Sequence, residues 1–252
     1  MATIPTYDDI RAIAARLVQQ QYPSAVAAII GGSFASGRQT PTSDIDLLLL
    51  FEHVDCAWRD TFSAEGRTVE LFGHDLATFT YFCREMDAPG GTVPLAMMVV
   101  EGNNLLAAGA PYARLRALAQ AIVLAGPPAL DGENLQRRRY AITTALEDLV
   151  DSTQPGEALA VACQLYQWLA ELHLRAAGRW SGGGKHLFRR LQAFDSAIAA
   201  RLDAALRLVA SDLPAGQQAF AHVSAAVLAP VGGPLLHGFA LPAPAHWRSP
   251  PA

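Results

Sequence analysis

The reading of this chain turns on Gly31-Gly32-Ser33-Phe34-Ala35-Ser36-Gly37, followed by Ser43-Asp44-Ile45-Asp46-Leu47-Leu48-Leu49-Leu50. Just before it, Ala25–Ile30 is a short apolar run stopped by two glycines, the pattern of a buried strand. Ile45–Phe51 is too short for a typical helix and reads as a second strand, although leucine is not a strong strand former. Gly37 to Ser43 is polar, holds Pro41 and reads as a loop. Side chains alternate along a strand, so Asp44 and Asp46 point the same way from the start of an apolar strand. Two parallel carboxylates repel one another, and divalent cations relieve that repulsion. The plainer alternative is a solvated turn in which Asp44 caps and Asp46 faces water.

The surroundings favour the metal. Gly32-Ser33 follows a strand and opens a short helix, where backbone N–H groups and the serine hydroxyl suit a phosphate. Ten residues separate Ser33 from Asp44, which suits a return to a neighbouring strand. A third acid, Glu70, lies in Thr68-Val69-Glu70-Leu71-Phe72, a third strand candidate. Its period sets Glu70 on the face opposite Val69 and Leu71. There it can bind a second metal ion or accept a proton from an attacking hydroxyl; taken alone it is an exposed strand carboxylate.

Gly-Ser, ten residues, Asp-x-Asp and a later strand acid resemble the nucleotidyltransferase superfamily related to DNA polymerase β. The helical second half resembles the layout of its antibiotic nucleotidyltransferases, such as the kanamycin and streptomycin/spectinomycin adenylyltransferases. The motif covers residues 31–46 tightly and the first 110 residues loosely. The resemblance implies that Gly32 and Ser33, with Ser43 beside them, hold a nucleoside triphosphate. It makes Asp44 and Asp46 the metal-binding pair and Glu70 the third catalytic carboxylate. An acceptor hydroxyl would attack the α-phosphorus, with two Mg²⁺ ions at the entering and leaving oxygens and pyrophosphate departing. The expected donor is ATP and the expected acceptor a small, aminoglycoside-like molecule, which links the chain to antibiotic resistance. The alternatives are a protein-adenylylating, antitoxin-like enzyme and a catalytically silent nucleotide-binding regulator.

Outward from the motif, Ile10, Ile13, Ala14 and Leu17 mark an amphipathic helix over 6–21, with Asp8 and Asp9 near its positive end. Asp75 heads a helical stretch through Ala88, stopped by Pro89-Gly90-Gly91. Residues 112–125, 132–151, 157–177, 186–192, 195–210 and 215–229 all read as helical. Leu135, Ile142, Leu146 and Leu149 fall on one stripe, as do Leu159, Cys163, Tyr166 and Leu169. The expected fold class is α+β: a polymerase-β-like domain with a small mixed sheet over 1–110, then a helical, acceptor-binding bundle over 111–229. Residues 230–252 form a proline-rich tail that Phe239 and Trp247 would hold if it docks.

The second half offers further candidates. Lys185 follows Gly182-Gly183-Gly184 among Arg179, Arg189 and Arg190, and is assigned to the nucleotide's phosphates; the alternative is an exposed lysine at a helix start. Arg137-Arg138-Arg139 fan around a helix, either as a solvated face or as a phosphate contact. For a cationic acceptor, Glu147, Asp148 and Asp151, or Glu85, Asp87 and Glu101, are the acids to consider.

Composition narrows the classes. Of the 252 residues, 51% are hydrophobic and 17% charged, which excludes a disordered chain. The net charge of −4 gives no basic field for nucleic acid. No apolar run approaches a membrane span, and the start lacks a secretory pattern. Cys56, Cys83 and Cys163 are too scattered for a disulfide frame or zinc site. The expected home is the cytoplasm, with a nucleotide and a small molecule as partners. Eighteen arginines stand against one lysine, Lys185, a bias that coding composition explains apart from the lysine's retention beside three glycines. Two rival motifs fall short. Gly31–Ala35 lacks the last glycine of a serine-nucleophile elbow, and Gly182–His186 lacks two positions of a phosphate-binding P-loop.

Overall fold

The computed structural model describes residues 4–248. The chain divides into two compact units, Met1–Pro127 and Pro128–Ala252.

In the first unit, α1 (Tyr7–Gln21) opens with a capping box. Thr6 accepts from the Asp9 amide, and the Asp9 carboxylate accepts from the Thr6 amide at 3.0 Å. Then come β1 (Ala27–Ile30), the single turn α2 (Gly32–Ala35), β2 (Ile45–Leu50), β3 (Trp58–Ala64) and β4 (Arg67–His74). The helix α3 (Leu76–Tyr81) is capped by Asp75 and continues as a π-helical turn, Phe82–Asp87, and a 3-10 turn, Ala88–Gly90. After α4 (Pro94–Glu101), the short strand β5 (Asn103–Asn104) and α5 (Ala110–Ala125) complete the unit.

The five strands form one mixed sheet in the order β3-β4-β2-β1-β5. Only β2 and β4 run parallel, with Asp46 opposite Glu70. Buried Ile10, Ala14, Leu17 and Val18 of α1 pack with Ala28, Ile30, Leu47, Leu49 and Leu71 of the sheet. Leu48 and Leu50 are also buried. A strand covered on both faces keeps an unbroken apolar run, which explains the leucine run of β2.

β3 carries no apolar run, and residues 58–64 do not announce a strand. It is an edge strand whose residues are half-buried or exposed. The two-residue loop Glu65-Gly66 makes the hairpin with β4, with φ of 48° and 75°. Both angles are positive, as tight hairpin turns require; Gly66 adopts its angle without strain, while Glu65 is a non-glycine residue in the left-handed region. Arg16 of α1 holds the loop through a 2.7 Å ion pair with Glu65.

The second unit is helical: α6 (Gly132–Asp151), α7 (Pro155–Ala176), α8 (Lys185–Phe194), α9 (Ser196–Ser211) and α10 (Leu213–Leu228). Ile142 and Leu149 of α6 are buried, and Leu135 and Leu146 pack against the same core. On α7 the stripe differs from the sequence reading. Ala158, Ala162, Leu165, Leu169 and Leu172 are buried, whereas Leu159 and Cys163 are exposed. Alanines let neighbouring helices approach closely, so the small residues line the core and the larger ones beside them turn outward. The helix α5 belongs with the first unit, where it packs on α4, so compactness places the division at 127/128 rather than 110/111.

The segment after α10 folds back on α6. Arg139 donates through Nε to the Gly233 carbonyl at 2.8 Å and through Nη2 to the Gly232 carbonyl at 2.6 Å. Thr143 Oγ1 accepts from the Leu235 amide, and Phe239 stacks on Tyr140 with ring centres 4.0 Å apart. Trp247, the other expected anchor, is 69% exposed. Residues 249–252 of the proline-rich tail lie outside the described residues.

Candidate active site

Where β1 ends, the Gly31 amide donates to the Asp46 carbonyl at 2.9 Å, tying the strand's exit to the start of β2. The chain then turns through Gly32, whose φ is +63°. A Cβ placed on Gly32 would fall on the Asp46 carboxylate. Only glycine meets both demands, so the motif's second glycine is what lets Asp46 lie against the turn. Buried Phe34 anchors this turn. The hydroxyl of Ser36 donates to the Gly32 and Ser33 carbonyls, and the Arg38 amide donates to the Ser33 carbonyl.

Ser33 presents a different situation. Its Oγ is buried and has no hydrogen-bond partner. Such a hydroxyl is costly unless a ligand or water satisfies it. It also lacks the base that a serine nucleophile needs.

The loop from Gly37 to Ser43 closes on itself before the acids. The Thr40 amide donates to Ser43 Oγ at 2.8 Å, and the Ser43 amide donates to the Thr40 carbonyl. Ser43 is thus placed in the turn that delivers Asp44. Arg67 on β4 reaches the Pro41 carbonyl and steadies the loop.

Ile45 and Leu47 are fully buried, and alternation leaves Asp46 half-buried on the other face. The parallel register sets Glu70 at the level of Asp46, between buried Val69 and Leu71. Asp44, Asp46 and Glu70 each offer a carboxylate oxygen, and these oxygens lie within 4.8 Å of one another. Among the described residues this is the one acidic, histidine or cysteine group spaced to hold a metal ion. The donor set is all oxygen, which suits a hard divalent cation such as Mg²⁺. One residue that sequence reasoning missed stands here: Arg59 of β3 donates to Glu70 Oε2 at 2.9 Å. Its signal was hidden because β3 itself was.

Residues 10–81 match the nucleotidyltransferase domain family. That match runs from α1 through α3 and contains Gly32, Ser33, Asp44, Asp46 and Glu70. No curated protein matches the chain. Among solved structures, a nucleotidyltransferase-like protein from Exiguobacterium sibiricum 255-15 is similar over 88% of this chain and 76% of its own, at 10% identity and a TM-score of 0.44.

Outside the matched segment, Lys185 is exposed at the start of α8 in the second unit. Arg179 lies 5.4 Å from the ring centre of Phe194. The arginine run is engaged within its own unit: Arg137 pairs with Glu133 at 2.6 Å, Arg138 with Glu171 at 3.4 Å, and Arg139 binds the returning segment. Glu147, Asp148 and Asp151 are exposed on α6, as are Glu85 and Glu101 in the first unit. Asp87 is half-buried, and burial pushes its carboxyl up. All three cysteines are free thiols, and burial pushes Cys83 up to about 12. No helix among the described residues is long and apolar enough to cross a membrane.

Proposed function

We propose that the chain is a cytoplasmic enzyme that moves a nucleoside monophosphate, AMP from ATP, to a hydroxyl of a small acceptor with release of pyrophosphate. The observation that carries this reading is the gathering of Asp44, Asp46 and Glu70 beside the Gly32-Ser33 turn, in a segment that matches the nucleotidyltransferase domain. Asp44 and Asp46, with Glu70 as third ligand, would hold divalent metal. Bound there, Mg²⁺ ions would neutralise charge on the triphosphate and on the entering and leaving oxygens. The unpartnered Ser33 hydroxyl donates to a phosphate oxygen, which supplies the partner it otherwise lacks. Glycine at 32 lets the backbone approach the phosphates. The acceptor oxygen forms a bond to the α-phosphorus, the bond to the pyrophosphate oxygen breaks, and Glu70 takes the acceptor's proton. Lys185 is proposed to add a cation for the phosphates and Ser43 to join Gly32 and Ser33 in binding the nucleotide. An aminoglycoside-like acceptor follows from the resemblance of the helical half, with the exposed acids as its binding groups.

The test is incubation with each α-labelled nucleoside triphosphate and Mg²⁺, against panels of aminoglycosides and of proteins. Label on a small molecule supports the proposal. Label on protein favours protein adenylylation instead, and tight nucleotide binding without pyrophosphate release makes the chain a regulator.

A further inference from the structure

Arg59 lies outside every motif that points to the carboxylate cluster. It stands on the edge strand β3, opposite Phe72 in the hairpin register, while Thr61 stands opposite Glu70. From Phe72 it reaches diagonally along β4 to Glu70 Oε2, 2.9 Å away. Its guanidinium also lies 5.2 Å from the centre of the Phe72 ring. The pair is graded in exposure: the Arg59 side chain is 60% exposed and that of Glu70 25%. The cation can therefore move into solvent, while the carboxylate stays at the cluster.

Three carboxylates whose oxygens lie within 4.8 Å repel one another. A guanidinium on one of them offsets part of that repulsion. It holds one of the two Glu70 carboxylate oxygens, Oε2, and its positive charge opposes a divalent cation's approach. The two cations therefore compete for the negative charge of Glu70. The Phe72 ring gives the guanidinium a second, weaker resting place through its π face.

We infer that Arg59 is the built-in counter-cation of the cluster: it holds Glu70 while the carboxylates lack a divalent cation, and yields Glu70, resting on Phe72, when one binds. This rests on the metal-binding reading of Asp44, Asp46 and Glu70. Arg59 is in this sense a positioning residue. It sets how readily the third carboxylate becomes available and so weakens metal binding below what three carboxylates alone would give.

The experiment measures Mn²⁺ binding to the full chain by the paramagnetic resonance signal of the free ion. R59Q is expected to bind Mn²⁺ roughly fivefold more tightly than the unaltered chain, the scale of a partly exposed ion pair. R59K, which keeps the charge, stays near the unaltered value, and R59Q gains nothing in an E70Q background. A lost structural contact would not tighten metal binding, so this readout separates the two roles. Equal or weaker binding by R59Q, with binding still dependent on Asp44 and Asp46, overturns the role of Arg59 alone. No binding by either the unaltered chain or R59Q overturns the metal reading and the inference with it. A second readout needs no glutamine variant. The Arg59 Nε–H resonance, assigned by its loss in R59K, should move toward a free guanidinium on Mg²⁺ addition; a resonance that stays in place under saturating Mg²⁺ overturns the inference.

Discussion

Asp44, Asp46 and Glu70 in the first unit and Arg137, Arg138 and Arg139 in the second are both gatherings of like charge, but the fold treats them differently. The arginines are adjacent in sequence and diverge, each toward its own structural partner: Glu133, Glu171 and the carbonyls of Gly232 and Gly233. The acids come from β2, the residue just before it and β4, and converge with oxygens within 4.8 Å. Divergent charges are spent on stability. Converging charges cost stability, a cost that Arg59 offsets in part and that a divalent cation would offset further. Sequence proximity alone would rank the arginine run as the stronger cluster, and the tertiary arrangement reverses that order.

The contrast breaks if the acids prove structural or the arginines catalytic. The largest effect is expected from Asp44→Asn and Asp46→Asn, each lowering nucleotidyl transfer by about 10³-fold, as loss of a group that stabilises transition-state charge does. Their melting temperatures should hold or rise slightly, because like charges are relieved; full transfer activity in either variant would sink the metal assignment. Gly32→Ala comes next. Its Cβ would collide with the Asp46 carboxylate at a positive φ, so transfer should fall and stability drop by about 2–3 kcal/mol in denaturant titration.

Arg139→Ala should do the reverse, leaving nucleotide affinity intact while lowering stability by about 1–2 kcal/mol. Faster proteolytic cutting after residue 228 would report release of the segment it holds. Unchanged stability with weakened nucleotide affinity would make the arginines functional after all. A smaller effect belongs to Asp195, which caps α9 by accepting from the Ile198 amide and pairs with His173 at 3.0 Å. The Ile198 amide chiefly, with His173, holds its carboxyl below the usual range despite its burial. A depressed folded-state pKa contributes stability above the ordinary carboxylate value and loses it as pH falls through the folded value. Asp195→Ala should thus cost about 1 kcal/mol at neutral pH and flatten the acid limb of the stability curve. The smallest change is expected from Arg137→Ala, within about 0.5 kcal/mol, since its pair with Glu133 is an exposed contact one helical turn apart.

Much of the first unit was legible because its signals are local. Glycines after an apolar run marked the turn at Gly32, and alternation placed Asp44, Asp46 and Glu70 on the polar sides of their strands. The edge strand β3 was not legible, because a strand exposed on its outer side needs no apolar run. The turn Glu65-Gly66 was its one available sign. On α7, the sequence pattern favours leucine and cysteine over alanine, but close helix packing selects the small residues Ala158 and Ala162 for the core.

The sequence by itself determined most elements, β3 excepted, and most of their faces, that of α7 excepted, because period and capping act over a few residues. Spacing alone set Ser33 and the aspartate pair on successive elements. What only the tertiary structure decided is which residues from distant strands share a level. The parallel pairing of β2 with β4 puts Glu70 beside Asp46, and the β3 hairpin brings Arg59 onto Glu70. Register depends on pairing between segments far apart in the chain, and no local pattern encodes it.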